Sequence, residues 1–141
     1  LKYYQQAIND YTKEIEIHPN LINAYHNRGL AHYLLKNYQK AKTDFTKAIE
    51  INPNFALAYF NRGNINLKLK DYQQTIYDNT KATKLNPNFA DAFSNLALAR
   101  VLSGDKQGAV IDLETAAQLY QKQGRKAQAE ITLARIANIK S

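Results

Sequence analysis

Few side chains in this 141-residue sequence could do chemistry. The imidazoles are His18, His26 and His32. Histidines that share a metal on a helix stand at i, i+4; His26 and His32 are six apart and diverge. Ser94, Ser103 and Ser141 have neither a base at a fixed spacing nor the glycines of a nucleophile elbow. Gly104 and Gly108 bracket only Asp105-Lys106-Gln107, too little for a loop that cradles phosphate. Cysteine is absent, which excludes a thiol nucleophile, a cysteine-held metal and a disulfide. These residues point to no catalytic centre, metal, cofactor or small-molecule substrate. The chain is expected not to be an enzyme.

Other polar residues recur. Pro19, Pro53 and Pro87 are spaced by 34, each within His-Pro-Asn or Asn-Pro-Asn. Residues 22–55 written over 56–89 give 17 identities, where chance composition gives about two or three. Residues 90–123 form a more diverged third copy, and 1–21 match only the second half of a unit. Each unit holds two amphipathic stretches: 24–35 and 38–51, 58–69 and 72–85, 92–102 and 106–120. Their apolar spacing predicts helices with one buried face. Lys36-Asn37, Lys70-Asp71 and Ser103-Gly104-Asp105 separate the helices within a unit, and each proline stops the second helix. Helix pairs in tandem predict an all-α solenoid. With 45% hydrophobic residues the chain can build one core-bearing domain spanning 1–141. No apolar run reaches the ~18–20 residues of a membrane span, and the start does not resemble a signal peptide.

The anchors resemble tetratricopeptide repeats. An aromatic stands at Tyr25, Tyr59 and Phe93, and a small residue at Gly29, Gly63 and Ala97. The second helices carry Tyr4, Tyr38 and Tyr72, then Ala7, Ala41 and Ala109, then Ala48, Ala82 and Ala116. Thr75 departs by one oxygen. The resemblance covers 1–123 and implies a right-handed superhelix. The Asn-Arg-Gly triplets at 27–29 and 61–63 resemble those of bacterial, especially cyanobacterial, repeats. Residues 124–141 are expected to form a capping helix with Ile131, Leu133, Ala134, Ile136, Ala137 and Ile139 on its apolar side. Leu1 opens in mid-unit, so the chain is expected to be a fragment of a longer one.

Arg28 and Arg62 stand where the family more often has leucine, and a buried guanidinium needs a partner. Aspartates recur at Asp10, Asp44, Asp78 and Asp112, so each arginine is expected to pair with one of them across neighbouring helices. Asn79, aligned with Phe45 and Leu113, puts an amide at a core position that needs a partner or loosens the repeat.

In this family the first helices line a concave, ligand-binding face. That resemblance places Asn27, Asn61 and Asn95 there as a column able to grip a peptide main chain. A second reading of the column, as residues tying one helix to the next, stands beside it. The other expected groove residues are His26, Leu30, Tyr33, Phe60, Asn64, Leu67, Lys68, Asp91 and Leu98. Phe60 reads either as an anchor for a partner or as packing. The clamp by which some family members hold acidic chaperone tails would need His26, Leu30, Asn61, Asp91 and Asn95 to match it. Only Asn61 does.

The 19 basic against 12 acidic residues give a net +7, placed mainly on second helices and the C-terminal end. No aromatic-interleaved basic strip accompanies them, so solvation is favoured over nucleic acid. The expected function is a non-catalytic scaffold that binds a peptide or helix of another protein in the groove. The alternatives are a regulatory or self-assembly module, with self-association through the open N-terminal face, and an acidic or nucleic-acid partner on the basic convex face. The default location is the cytoplasm.

Overall fold

A computed structural model describes residues 1–141 as eight helices without a strand. They are α1 (Lys2–Ile17), α2 (Ile22–Leu34), α3 (Tyr38–Ile51), α4 (Ala56–Lys68), α5 (Tyr72–Leu85), α6 (Ala90–Leu102), α7 (Lys106–Lys122) and α8 (Lys126–Lys140). None is long and apolar enough to cross a membrane.

Two kinds of connection alternate. Within a unit the first helix ends on a left-handed residue: Lys36 and Lys70 at φ 60°, and Gly104 at φ 94°. The next amide then reaches back five residues, as in Asn37 N–H to His32 O at 2.8 Å and Asp71 N–H to Asn66 O at 2.8 Å. This closes the orphan carbonyls of the helix end. Asp71 and Asp105 cap the following helix, Asp105 accepting from the Gly108 amide at 2.8 Å. Between units, Asn52 and Asn86 turn the chain by accepting from the amides of Asn54 and Asn88, two residues on and just past the proline.

Small residues set the helix spacing. Ala41, Ala48, Ala82, Ala97, Ala109 and Ala116 are fully buried. A Cβ on Gly29 would stand 3.0 Å from the Phe45 ring, and one on Gly63 would stand 2.6 Å from the Asn79 amide nitrogen. The core is a file of small clusters along the stack. First helices touch across units, α2 with α4 and α4 with α6, whereas α3, α5 and α7 make no comparable contact with one another. First helices therefore form the inner, concave layer.

α8 closes the stack with a different face from the expected one. Ala129, Thr132 and Ile136 are buried and Ile139 half-buried, but Ile131 is 54% and Leu133 48% exposed, and Ala134 and Ala137 face solvent. The helix packs on both α6 and α7, through Ala97, Val101, Ala109 and Leu113. Its buried stripe is rotated to meet the two together, and Thr132 is accommodated by bonding to the Gln128 carbonyl at 2.7 Å.

Candidate partner-binding face

The inner helices are locked to the outer ones by repeated ion pairs. Arg28 donates to Asp44 through Nε (2.9 Å) and Nη2 (2.7 Å), and through Nη1 to Thr12 Oγ1 on α1 (3.1 Å). Arg62 does the same with Asp78 (3.0 and 2.7 Å) and Thr46 (3.3 Å). Each guanidinium also lies 5.7 Å from the ring of Tyr25 or Tyr59. The hydrogen bonds to Asp44 hold Arg28 above the ordinary arginine range. Asp10 makes no ion pair, contrary to the sequence expectation. It lies exposed on α1, whose corresponding face receives no first helix in this chain.

In the third unit Leu96 stands at the arginine position. Arg100, one turn later, reaches Asp112 through Nε at 3.2 Å and Asp105 through Nη1 at 3.5 Å. Burial pushes the Asp112 carboxyl up to about 6, against the pull of Arg100.

Asn27, Asn61 and Asn95 are half-buried at matching positions on the inner layer. The Asn61 amide donates to His26 Nε2 at 2.9 Å, and that of Asn95 donates to Asn64. Each thereby ties its helix to the preceding one. The carbonyl oxygens of Asn61 and Asn95 accept no hydrogen bond within the chain, and Asn27 makes no such tie to a neighbouring helix.

His26 is buried rather than groove-facing. Its ring packs 5.1 Å from that of Phe55 and 5.7 Å from that of Phe45. Burial lowers its pKa, so the ring is neutral and Nε2 can accept from Asn61. Leu30 and Tyr33 pack partly into the cluster of Ala41, Phe45 and Ile65. Phe60 lies 4.7 Å from the Phe89 ring, so its aromatic face is largely used in packing on the end of its own unit, where the chain enters α6. Asn64 and Leu67 are half-buried, while Lys68 and Leu98 are exposed. Asp91 is not a free acid. Arg125 meets it at 2.9 and 3.0 Å and the Tyr120 hydroxyl at 2.8 Å. The Arg125 bonds hold its carboxyl below the usual range, while burial and the bond to Asp91 push Tyr120 up to about 12.

The family model for the tetratricopeptide repeat matches residues 22–55 and 56–89. Those two stretches are tetratricopeptide repeats. The fold is similar to that of MamA from Desulfovibrio magneticus at TM-score 0.77 and 18% identity, covering 97% of this chain and 85% of that one. It is similar to the TPR2B-domain:pHsp70 complex of yeast Sti1 at TM-score 0.79 and 21% identity, covering 84% and 95%. It is also similar to the first TPR of Spaghetti (RPAP3) bound to the HSP90 peptide SRMEEVD, at TM-score 0.75 and 21% identity, covering 83% and 90%. No curated protein matches the sequence.

Three features of this tetratricopeptide-repeat array escape a reading of the period: Arg100 with Asp112, Arg125 with Asp91 and Tyr120, and Arg135 on the inner side of α8. All three lie in or after the diverged third unit, where 34-residue matching stops aligning partners. Arg125 follows Gly124 in a left-handed turn (φ 72°), and that glycine was the one available signal of how α8 is set.

Proposed function

We propose that the concave layer of α2, α4 and α6 binds an extended segment or helix of another protein, without chemistry. The observation carrying this reading is the column of Asn27, Asn61 and Asn95. Its amide nitrogens fix the helices at Asn61 and Asn95, while its oxygens remain able to accept from a partner's main chain. The same side chains thus serve the stack and stay open to a ligand, so the two sequence readings are compatible. Exposed Leu34, Leu98 and Leu102 supply apolar contact to a peptide laid along the face. Two proteins of similar fold are named for peptide-bearing complexes, which accords with this use of the scaffold.

The test is affinity capture from the source lysate at low and high salt. It compares the wild-type chain with an Asn27→Ala/Asn61→Ala/Asn95→Ala variant whose helicity is checked by circular dichroism. A protein held by wild type at high salt and released by the folded variant supports the groove. Equal retention by both makes the column structural only, and binding that salt abolishes in both moves the search to the basic outer face.

A further inference from the structure

Four of the five arginines meet a carboxylate: Arg28 with Asp44, Arg62 with Asp78, Arg100 with Asp105 and Asp112, and Arg125 with Asp91. Arg135 meets none. Its one hydrogen-bonding neighbour is the Ser94 hydroxyl, at 3.4 Å.

Arg135 stands over the cleft where α8 closes on α6. Leu98, Val101 and Ile139 form the floor, and Ser94, Arg135 and Asn138 form the polar rim; the volume is about 290 Å³. A second hollow of about 290 Å³ adjoins it, shares Ser94, Leu98 and Arg135, and is bordered by Ile131. The exposure of Ile131 on the capping helix, unexplained by packing, thus belongs to the wall of this cleft. The acids close by are already committed, Asp91 to Arg125 and Glu114 to Lys140 at 3.4 Å.

We infer that this cleft binds a peptide segment of a partner protein in which an aliphatic or aromatic side chain lies next to a carboxylate. The apolar side chain fills the floor over Leu98 and Val101. The carboxylate accepts from the Arg135 guanidinium, the Ser94 hydroxyl and the Asn138 amide. A planar guanidinium is suited to a carboxylate by its fixed fork of donors, and a cleft with an apolar floor and a few polar groups at the rim selects such a pair. The inference rests on the groove reading, because the cleft is the C-terminal end of the same inner face, and adds the chemistry of what it holds.

The carboxylate can come from a side chain or from a chain terminus, and the experiment separates the two. Seven-residue peptides carry Leu-Asp or Leu-Asn at their centre with both ends blocked, and a third ends in Leu with a free carboxylate. They are titrated into the ¹⁵N-labelled chain and followed by NMR, including the arginine Nε–H signals. The expected result is shifts at Ser94, Leu98 and Arg135, with one of the two acidic peptides binding about 5- to 10-fold more tightly than Leu-Asn. Whichever does so names the source. In an Arg135→Gln variant, which changes an exposed residue, that preference is lost and the weak apolar binding persists. Equal binding of all three peptides, or a preference that survives Arg135→Gln, overturns the inference. So do shifts of the same residues with protein concentration in the absence of peptide, which would put a second copy in the cleft. If shifts instead follow Asn27, Asn61 and Asn95 without preference for an acid, the cleft fails and the groove stands. Absence of shifts with every peptide overturns the cleft alone, the groove being decided by the capture experiment.

Discussion

In the second unit Asp78 is fully enclosed and takes both arms of Arg62 and the Asn66 amide at 2.9 Å. In the third unit Asp112 retains 10% of its side-chain surface, has only the Nε side of Arg100 at 3.2 Å, and shares that arginine with Asp105. Both carboxylates come from the same position of the repeat. The difference follows from one column of residues. Arg62 is replaced by Leu96, and the residue at the next turn, His32 in the first unit and the hydrogen-bonding Asn66 in the second, becomes Arg100. A charge moved one turn along a helix still finds its partner, but it reaches it from the side, at 3.2 Å and without an aligned hydrogen bond. It also loses the contact that Arg28 and Arg62 make with a threonine of the preceding unit, although Thr80 stands at the matching place. Keeping an ion pair is therefore easier than keeping its geometry, and the geometry carries the link between units.

The largest expected effect that would break this contrast comes from removing each arginine. Arg62→Leu leaves an enclosed Asp78 with an amide alone and is expected to cost about 3–5 kcal/mol in urea unfolding. Arg100→Leu should cost about 1 kcal/mol, because Asp112 can take a proton instead. Equal losses would make the two sites equivalent. Next in size, Leu96→Arg with Arg100→Asn rebuilds the second-unit arrangement around Asp112 and Thr80. It is expected to raise stability by about 1–2 kcal/mol at neutral pH. No gain in the thermal midpoint would mean that backbone spacing in the third unit forbids the two-armed pair.

Asp112 also gives the contrast a pH dependence. Its carboxyl keeps its proton up to about 6 in the folded chain, whereas the unfolded chain releases it near the ordinary value, about 4. Between those values the folded state binds more protons, so Asp112 makes stability fall as pH rises through that window. Asp112→Asn is expected to stabilise by about 1 kcal/mol at pH 7.5. The gain should shrink below pH 6 and vanish near pH 4, as read by thermal melts across the range. A gain independent of pH would assign the effect to packing. The smallest effect concerns the turns: Lys70 holds a left-handed conformation that Gly104 adopts freely. Lys70→Gly should gain about 0.5–1 kcal/mol and Gly104→Lys lose as much.

Legibility in the sequence followed the period. The 34-residue spacing gave the units, the tight turns and the partners of Arg28 and Arg62, because each of these is repeated and an error in one copy is corrected by another. The site was less legible. His26 occupies a position expected to face the groove, yet a ring between Phe45 and Phe55 is better buried than exposed, and no pattern of spacing distinguishes the two. Phe60 found Phe89, an aromatic nearly a full repeat away. Asn79 has half of what an amide at a core position needs. It donates to the Thr75 carbonyl at 3.0 Å, and its own oxygen is buried without a donor. Across from it lies Gly63, close enough that a methyl group there would strike the amide. Arg135 lies outside the apolar side expected for α8, and nothing in its spacing points to Ser94 on α6.

The contact of inner helix with inner helix, and the lack of any such contact between outer ones, has a mechanical meaning. The inner layer acts as the spine of a fan: bending the stack about it changes the gaps between outer helices more than the contacts along the spine. Opening or tightening the arc is therefore a low-energy motion. A partner on the proposed inner face would be met by a change of curvature, with the surface itself left as built.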